Sequence, residues 1–230
     1  MNDYIAFLAY FGVALTLLVY LFACRLGKRL HHPLANPMLL CLIMMIALLL
    51  LLDIDYDAYN QSAKYLTYLL TPATACLALP LYRQIKKLRE YPLAIVAGIL
   101  TGVAVNALCV IAVALLFRLP HGDYVTLLPK SVTGAVGMPL SAELGGAAEI
   151  TMAAISVTGL LGNILGTQIL RLFRVNDRVA KGIALGCGSH AFGTVRALEL
   201  GEVEGAMASL SLVITALLTV VIAPFLGSFI

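Results

Sequence analysis

Charge is scarce in this 230-residue chain: only 12% of its residues are Asp, Glu, Lys or Arg, while 61% are hydrophobic. That balance lies outside the range of soluble domains and, with a mean hydropathy of +0.98, identifies an integral membrane protein. A spanning helix uses roughly 20 apolar residues. The length therefore holds about seven or eight embedded segments, read here as about six spanning helices and two broken or re-entrant hairpins, and leaves no room for a soluble domain. The expected fold is all-α, polytopic and a single membrane domain over residues 1–230. The small excess of positive charge does not make a nucleic-acid surface. Eleven of the fifteen Lys and Arg sit in three short loops between apolar runs, which is a topology signal.

Catalytic and metal signatures are missing as well. There is no HExxH, no GxSxG, no phosphate loop and no nucleophile–base pair, so a non-enzymatic role is expected, without cofactor or metal. An intramembrane hydrolase using Ser189 and His190 is disfavoured because adjacent helical residues do not face one another. The five cysteines, Cys24, Cys41, Cys76, Cys109 and Cys187, form no CxxC pair and read as small core residues. Leu21 to Cys24 (LFAC) has the look of a lipoprotein cleavage box, but no basic residue precedes it, which favours a retained first helix.

What is present can be ordered along the chain. Tyr4 to Ala23 is the first span, ending in a basic loop with Arg25, Lys28 and Arg29 that belongs in the cytoplasm. Pro37 to Leu52 runs back out to Asp53, Asp55 and Asp57. A third segment, about Tyr65 to Tyr82, is interrupted by Pro72 and Pro80 and ends inside at Arg83, Lys86, Lys87 and Arg89. Pro92 to Phe117 crosses outward, and about Ala147 to Leu170 crosses inward to Arg171, Arg174, Arg178 and Lys181. Parity then requires Tyr124 to Leu144 to enter and return from the same side. The spacing places its turn near Gly134 to Pro139 (GAVGMP).

Sliding the chain by 58 residues sets Ser131 on Ser189 and Leu140 on Leu198. The two copies, roughly 124–170 and 182–228, each put a polar Gly-containing stretch before an acidic turn and a long helix. If the first hairpin dips in from outside, the second dips in from inside, and the repeats are inverted. An ordinary crossing by Lys181 to Glu199 remains the alternative. The last helix, Gly205 to Leu226, runs outward.

The most unusual stretch is Leu185 to Glu199, LGCGSHAFGTVRALE. Irregular backbone at membrane depth persists only inside protein or beside a wet cavity. Outside the basic loops the remaining cations are Lys64, Arg118, Lys130 and Arg196, and the last two fall one in each hairpin. With the hydroxyls of Ser131, Thr133, Ser189 and Thr194 they suggest an anion-binding cavity, and His190 is a candidate for proton coupling. The plainer readings are that Lys130 and Arg196 snorkel to the interface and that His190 is structural. Asn106 and Asn163 read as interhelical hydrogen-bond partners, and Gly159, Gly162 and Gly166 as a close-packing face.

At LLPKSVT (Leu127 to Thr133), VAKGIALG (Val179 to Gly186) and above all GSHAFGTVRALE (Gly188 to Glu199), the chain resembles the LrgB/CidB family. ALPLYRQ (Ala78 to Gln84) and GAMASLSLV (Gly205 to Val213) extend the likeness over essentially the whole chain. After Thr133 the family commonly continues Thr-Pro, whereas Gly134 and Ala135 follow here and proline comes at Pro139, so the resemblance does not place the first hairpin's break. The resemblance implies one of two roles. One is an antiholin-like or holin-like modulator of murein hydrolases and lysis, acting beside a small LrgA/CidA-type membrane partner. The other is transport of small carboxylates such as glycolate, glycerate, pyruvate or lactate across the bacterial inner membrane. Paired cations in polar hairpins favour the carboxylate anion as ligand and alternating access as mechanism. A third reading makes the chain the obligate partner of a subunit that carries the chemistry. Small faces on several helices are compatible with a homo-oligomer.

Overall fold

The computed structural model describes residues 10–30, 36–69, 72, 75, 76, 78–83 and 89–230. Among these residues every regular element is a helix, and four helices are long and apolar enough to cross a bilayer: Phe11–Leu30, Pro92–Phe117, Ala148–Leu172 and Glu202–Gly227. Large apolar side chains such as Leu18, Leu108, Leu116, Leu172 and Val221 stand on their outer surfaces. That is the composition of a lipid-facing wall. The chain is an all-α polytopic membrane protein.

It divides into two compact units, Met1–Cys76 and Leu77–Ile230. In the first, α1 (Phe11–Leu30) packs on α2 (Pro37–Leu51) and α3 (Tyr56–Tyr68). Asn36 caps α2 by accepting from Met38 N, with proline in the first turn. Ser62 Oγ accepts from Gly12 N at 2.9 Å, and Thr16 Oγ1 lies 2.7 Å from Tyr59 Oη. Two expectations change here. Residues 4–9 of the anticipated first span lie outside the described residues, and α1 continues to Leu30, so Arg25, Lys28 and Arg29 ride its last turns rather than a loop. Cations are favoured at a helix C-terminus, where the dipole is negative, and need not end the helix. The acidic loop is also shorter than expected, because Asp57 already sits in the first turn of α3. The Pro72 interruption lies where the neighbouring residues are not described; Pro80 lies inside α4 (Ala78–Arg83).

The second unit continues with α5 (Pro92–Phe117), α6 (His121–Leu127), α7 (Gly134–Glu143), α8 (Ala148–Leu172), α9 (Arg178–Leu200) and α10 (Glu202–Gly227). Helix α5 matches the sequence reading at both ends. Helices α6 and α7 form the first hairpin. Thr126 Oγ1 accepts from Ala147 N at 2.8 Å just past the hairpin's end, and Thr151 Oγ1 donates to Ser141 Oγ at 2.7 Å while lying 2.9 Å from Thr126 O. The break lies at Leu128–Thr133, not at Gly134–Pro139 as anticipated. Pro129 removes the donor that would continue α6, the turns Lys130 N to Leu127 O and Val132 N to Pro129 O follow, and Thr133 is extended (φ −73°, ψ 152°) before α7 starts. Pro139 is carried inside α7, at the cost of one backbone donor.

The run 178–200 is helical on both sides of His190, whose φ of 41° and ψ of −126° break it. The two halves fold back on each other. A straight helix of this length would part its ends by about 33 Å, yet Arg178 Nε lies 4.0 Å from Glu204 Oε1. Leu185 and Ala197, one from each half, share an apolar cluster with Leu170 and Ala208. The segment is therefore a hairpin, and an uninterrupted crossing by 181–199 is excluded.

Small residues let the elements approach closely. A Cβ on Gly162 would run into Ser189, and one on Gly186 into Ala208 and Ser211. Along its length α10 meets first the base of the second hairpin (Arg178 by Glu204), then its tip (Thr215 Oγ1 to Cys187 Sγ, 3.2 Å) and then the first hairpin (Tyr124 Oη to Leu226 O, 2.9 Å). The two hairpins thus start from opposite ends of α10 and point their tips toward one another.

Candidate functional site

Between α5 and the outgoing half of α9 lies a cavity of about 580 Å³. Its walls are small and apolar, with Ala94, Gly98 and Gly102 on one side and Ala180, Ala184 and Gly188 on the other. Asp177 stands among the lining residues at the base of the second hairpin, and Lys130 and Ser131 among those at the tip of the first.

The polar cluster at that tip has one center. Lys130 Nζ donates to Asn106 Oδ1 at 2.5 Å, Ser131 Oγ donates to the same oxygen at 2.8 Å, and Lys130 Nζ lies 3.3 Å from Ser131 Oγ. The break at Pro129 is what brings these residues there: it frees Lys130 and Ser131 from a helical register and turns both toward α5. An ammonium group only donates, so the atom of Asn106 that faces it is its oxygen. Among the described residues no carboxylate pairs with Lys130. The site is a half-buried cation with a hydroxyl beside it, both resting on a neutral acceptor.

The other anticipated site residues fall elsewhere. Thr133 is the N-cap position of α7, with no side-chain cap bond. Ser189 is buried against the Gly162 face of α8. His190 is 1% exposed, its Nε2 lies 3.0 Å from Ile155 O, and its ring meets Phe192 edge-on with centroids 5.6 Å apart. Thr194 Oγ1 closes back on His190 O at 2.9 Å. Arg196 does not line the cavity; it sits on the returning half of the hairpin, where its Nη1 donates to Glu199 Oε2 at 2.5 Å. The structure thus brings together Lys130 and Ser131 and keeps Arg196 apart from them, as its own acidic neighbour, one helical turn on, already balances its charge.

Asn106 and Asn163 are interhelical hydrogen-bond partners, as expected, but the sequence reading did not place Asn106 in the site. The signal for it is a second internal match: Thr101-Gly102 followed by Asn106 on α5 recurs as Thr158-Gly159 followed by Asn163 on α8. Each is the helix that precedes a hairpin, and each asparagine reaches that hairpin's tip. Asn106 meets Lys130 and Ser131, and Asn163 Nδ2 donates to Phe192 O at 2.8 Å.

The chain is similar to known proteins over nearly its full length. The holin-like protein CidB of Staphylococcus aureus (strain Mu50 / ATCC 700699) is 38% identical over 226 residues, 98% of either chain. The CidB of Staphylococcus epidermidis (strain ATCC 12228 / FDA PCI 1200) is 37% identical over the same share. The Bacillus subtilis (strain 168) protein YwbG is 34% identical over 223 residues, 97% of this chain and 99% of that one. No solved structure matches. The model of the LrgB-like family matches residues 16–229, and the chain belongs to that family.

Proposed function

We propose that this protein carries small monocarboxylates, of the size of glycolate, glycerate, pyruvate or lactate, across the bacterial inner membrane by alternating access. The observation that carries the reading is the Lys130–Ser131–Asn106 cluster at the end of an apolar cavity of about 580 Å³. A cation partly withdrawn from water, with no counter-ion among the described residues, is costly unless an anion visits it. Lys130 and Ser131 offer a carboxylate two donors, and the small apolar walls suit a short carbon chain. The two hairpins approaching from opposite ends of α10 support an inverted-repeat arrangement, residues 124–170 against 182–228, of the kind that alternating access uses. His190, bonded to Ile155 O inside the protein, serves the hairpin's shape in this reading rather than proton transfer.

Uptake of labelled glycolate, pyruvate and lactate into proteoliposomes tests this, with wild type compared with Lys130→Met. Saturable uptake that the substitution abolishes supports a carrier with its anion site at the first hairpin. Non-selective dye release without saturable uptake would overturn it in favor of a second reading. That reading, which the holin-like name of the staphylococcal relatives favours, is a lysis-related membrane protein acting with a small LrgA/CidA-type partner. Repeating both assays with that partner co-reconstituted separates a carrier that works alone from one that requires it.

A further inference from the structure

The carboxamide of Asn106 is placed as no purely structural asparagine needs to be. Its oxygen takes hydrogen bonds from two side chains at once, Lys130 Nζ at 2.5 Å and Ser131 Oγ at 2.8 Å, on the cavity wall that both donors also line. The matching Asn163 is the contrast. It is 6% exposed and there donates to a backbone carbonyl, Phe192 O, an acceptor that offers an anion no donor to bind. Around Asn106 the geometry is that of a carboxylate's acceptor oxygen facing an ammonium and a hydroxyl, with a neutral amide in the carboxylate's place.

We infer that the Asn106 carboxamide is the empty site's stand-in for the substrate carboxylate: it satisfies Lys130 and Ser131 between transport cycles and yields both donors when an anion enters. This rests on the carrier reading and adds to it a residue that competes with substrate. A neutral amide oxygen is the weaker acceptor, so a carboxylate displaces it. A carboxylate fixed at position 106 would not be displaced. Asn106→Asp is nearly isosteric and converts the stand-in into a resident counter-ion. Asn106→Leu keeps the volume, removes the acceptor and suits an apolar helix.

The test uses full-length protein in proteoliposomes, with labelled glycolate and pyruvate as probes, and thermal unfolding in detergent with and without 10 mM-scale glycolate as a readout independent of transport. Asn106→Asp is expected to insert normally and to melt no lower than wild type. Its uptake should fall at least about 100-fold and its glycolate-induced melting shift should vanish. Asn106→Leu is expected to keep saturable uptake, with KM several-fold lower than wild type; should it fail to insert, Asn106→Ala takes its place. The inference is overturned if Asn106→Asp transports like wild type, or if folded Asn106→Leu or Asn106→Ala loses uptake as completely as Asn106→Asp does. Wild type that shows neither saturable uptake nor a melting shift with either probe overturns the carrier reading and this inference together; wild type that transports while the variants behave as just stated overturns the inference alone.

Discussion

On the carrier reading a single cation carries the site, because Lys130 lines the cavity and Arg196 does not. Replacing Lys130 with Met keeps the side-chain length and removes the charge, and uptake is expected to drop about 100-fold or more, the ~3 kcal/mol of a charge-assisted hydrogen bond in a poorly hydrated site. The insertion level, measured by membrane fractionation, should not change. Arg196→Ala should behave differently. Its ion pair with Glu199 is part-exposed, with side chains 35% and 57% accessible, and such pairs contribute roughly 0–1 kcal/mol. Uptake within about threefold of wild type is the expected outcome, and a loss as deep as that of Lys130→Met would place the anion at the second hairpin instead. Sequence reasoning singled out both cations correctly as residues in polar hairpins. It could not separate them, because the difference lies in Glu199 folding onto one and Asn106 reaching the other from 24 positions away in the chain, a pairing that composition does not encode.

At the scale of elements, the long apolar helices were legible from the sequence because a span is a local property: Pro92 to Phe117 ends where the run ends. The breaks were less so. Two prolines, Pro129 and Pro139, lie in this segment; the chain breaks at the first, beside which Lys130 and Ser131 bond to Asn106 on α5, and carries the second inside α7. In the second hairpin no proline marks the break at all, and it falls on His190, a non-glycine residue at φ 41°. Such a conformation costs on the order of 1–3 kcal/mol and is held by its surroundings. The imidazole bond to Ile155 O is one such hold, so His190→Ala, which keeps the strain and loses the bond, should melt lower than His190→Gly, which loses the bond and relieves the strain. The fit of this hairpin on α8 is tested by Gly162→Ala. Its new methyl would overlap the Ser189 side chain, and the variant should be destabilised by about 1–3 kcal/mol. Ser189→Gly in the same protein should restore much of that, because it removes the atoms in conflict; thermal unfolding of the two single variants and the double gives the coupling directly.

For the molecule as a whole, the arrangement of the cavity specifies a side. Its lining runs from Asp177 and Ala180, at the base of the second hairpin, to Lys130 and Ser131 at the tip of the first. The loop at that base carries Arg174, Arg178 opens α9 after it, and the last turn of α8 before it carries Arg171, so the positive-inside rule predicts a cytoplasmic position for this end. On the proposed carrier reading, this conformation is one in which the anion site communicates with the cytoplasmic face, and a carrier must also have another. Gly188 offers the probe: it lines the cavity, and a Cβ added there meets nothing within 4 Å. In a variant with all five native cysteines replaced, Gly188→Cys should react with a membrane-impermeant maleimide in inside-out vesicles. It should react much more slowly in right-side-out vesicles. Glycolate should slow the first reaction, since substrate at Lys130 fills the adjoining space, and Lys130→Met should remove that protection without changing the unprotected rate. Equal labelling from both sides, with no effect of substrate, is the pattern of a continuous pore, and would move the protein from the carriers to the holin-like membrane proteins whose name its staphylococcal relatives bear.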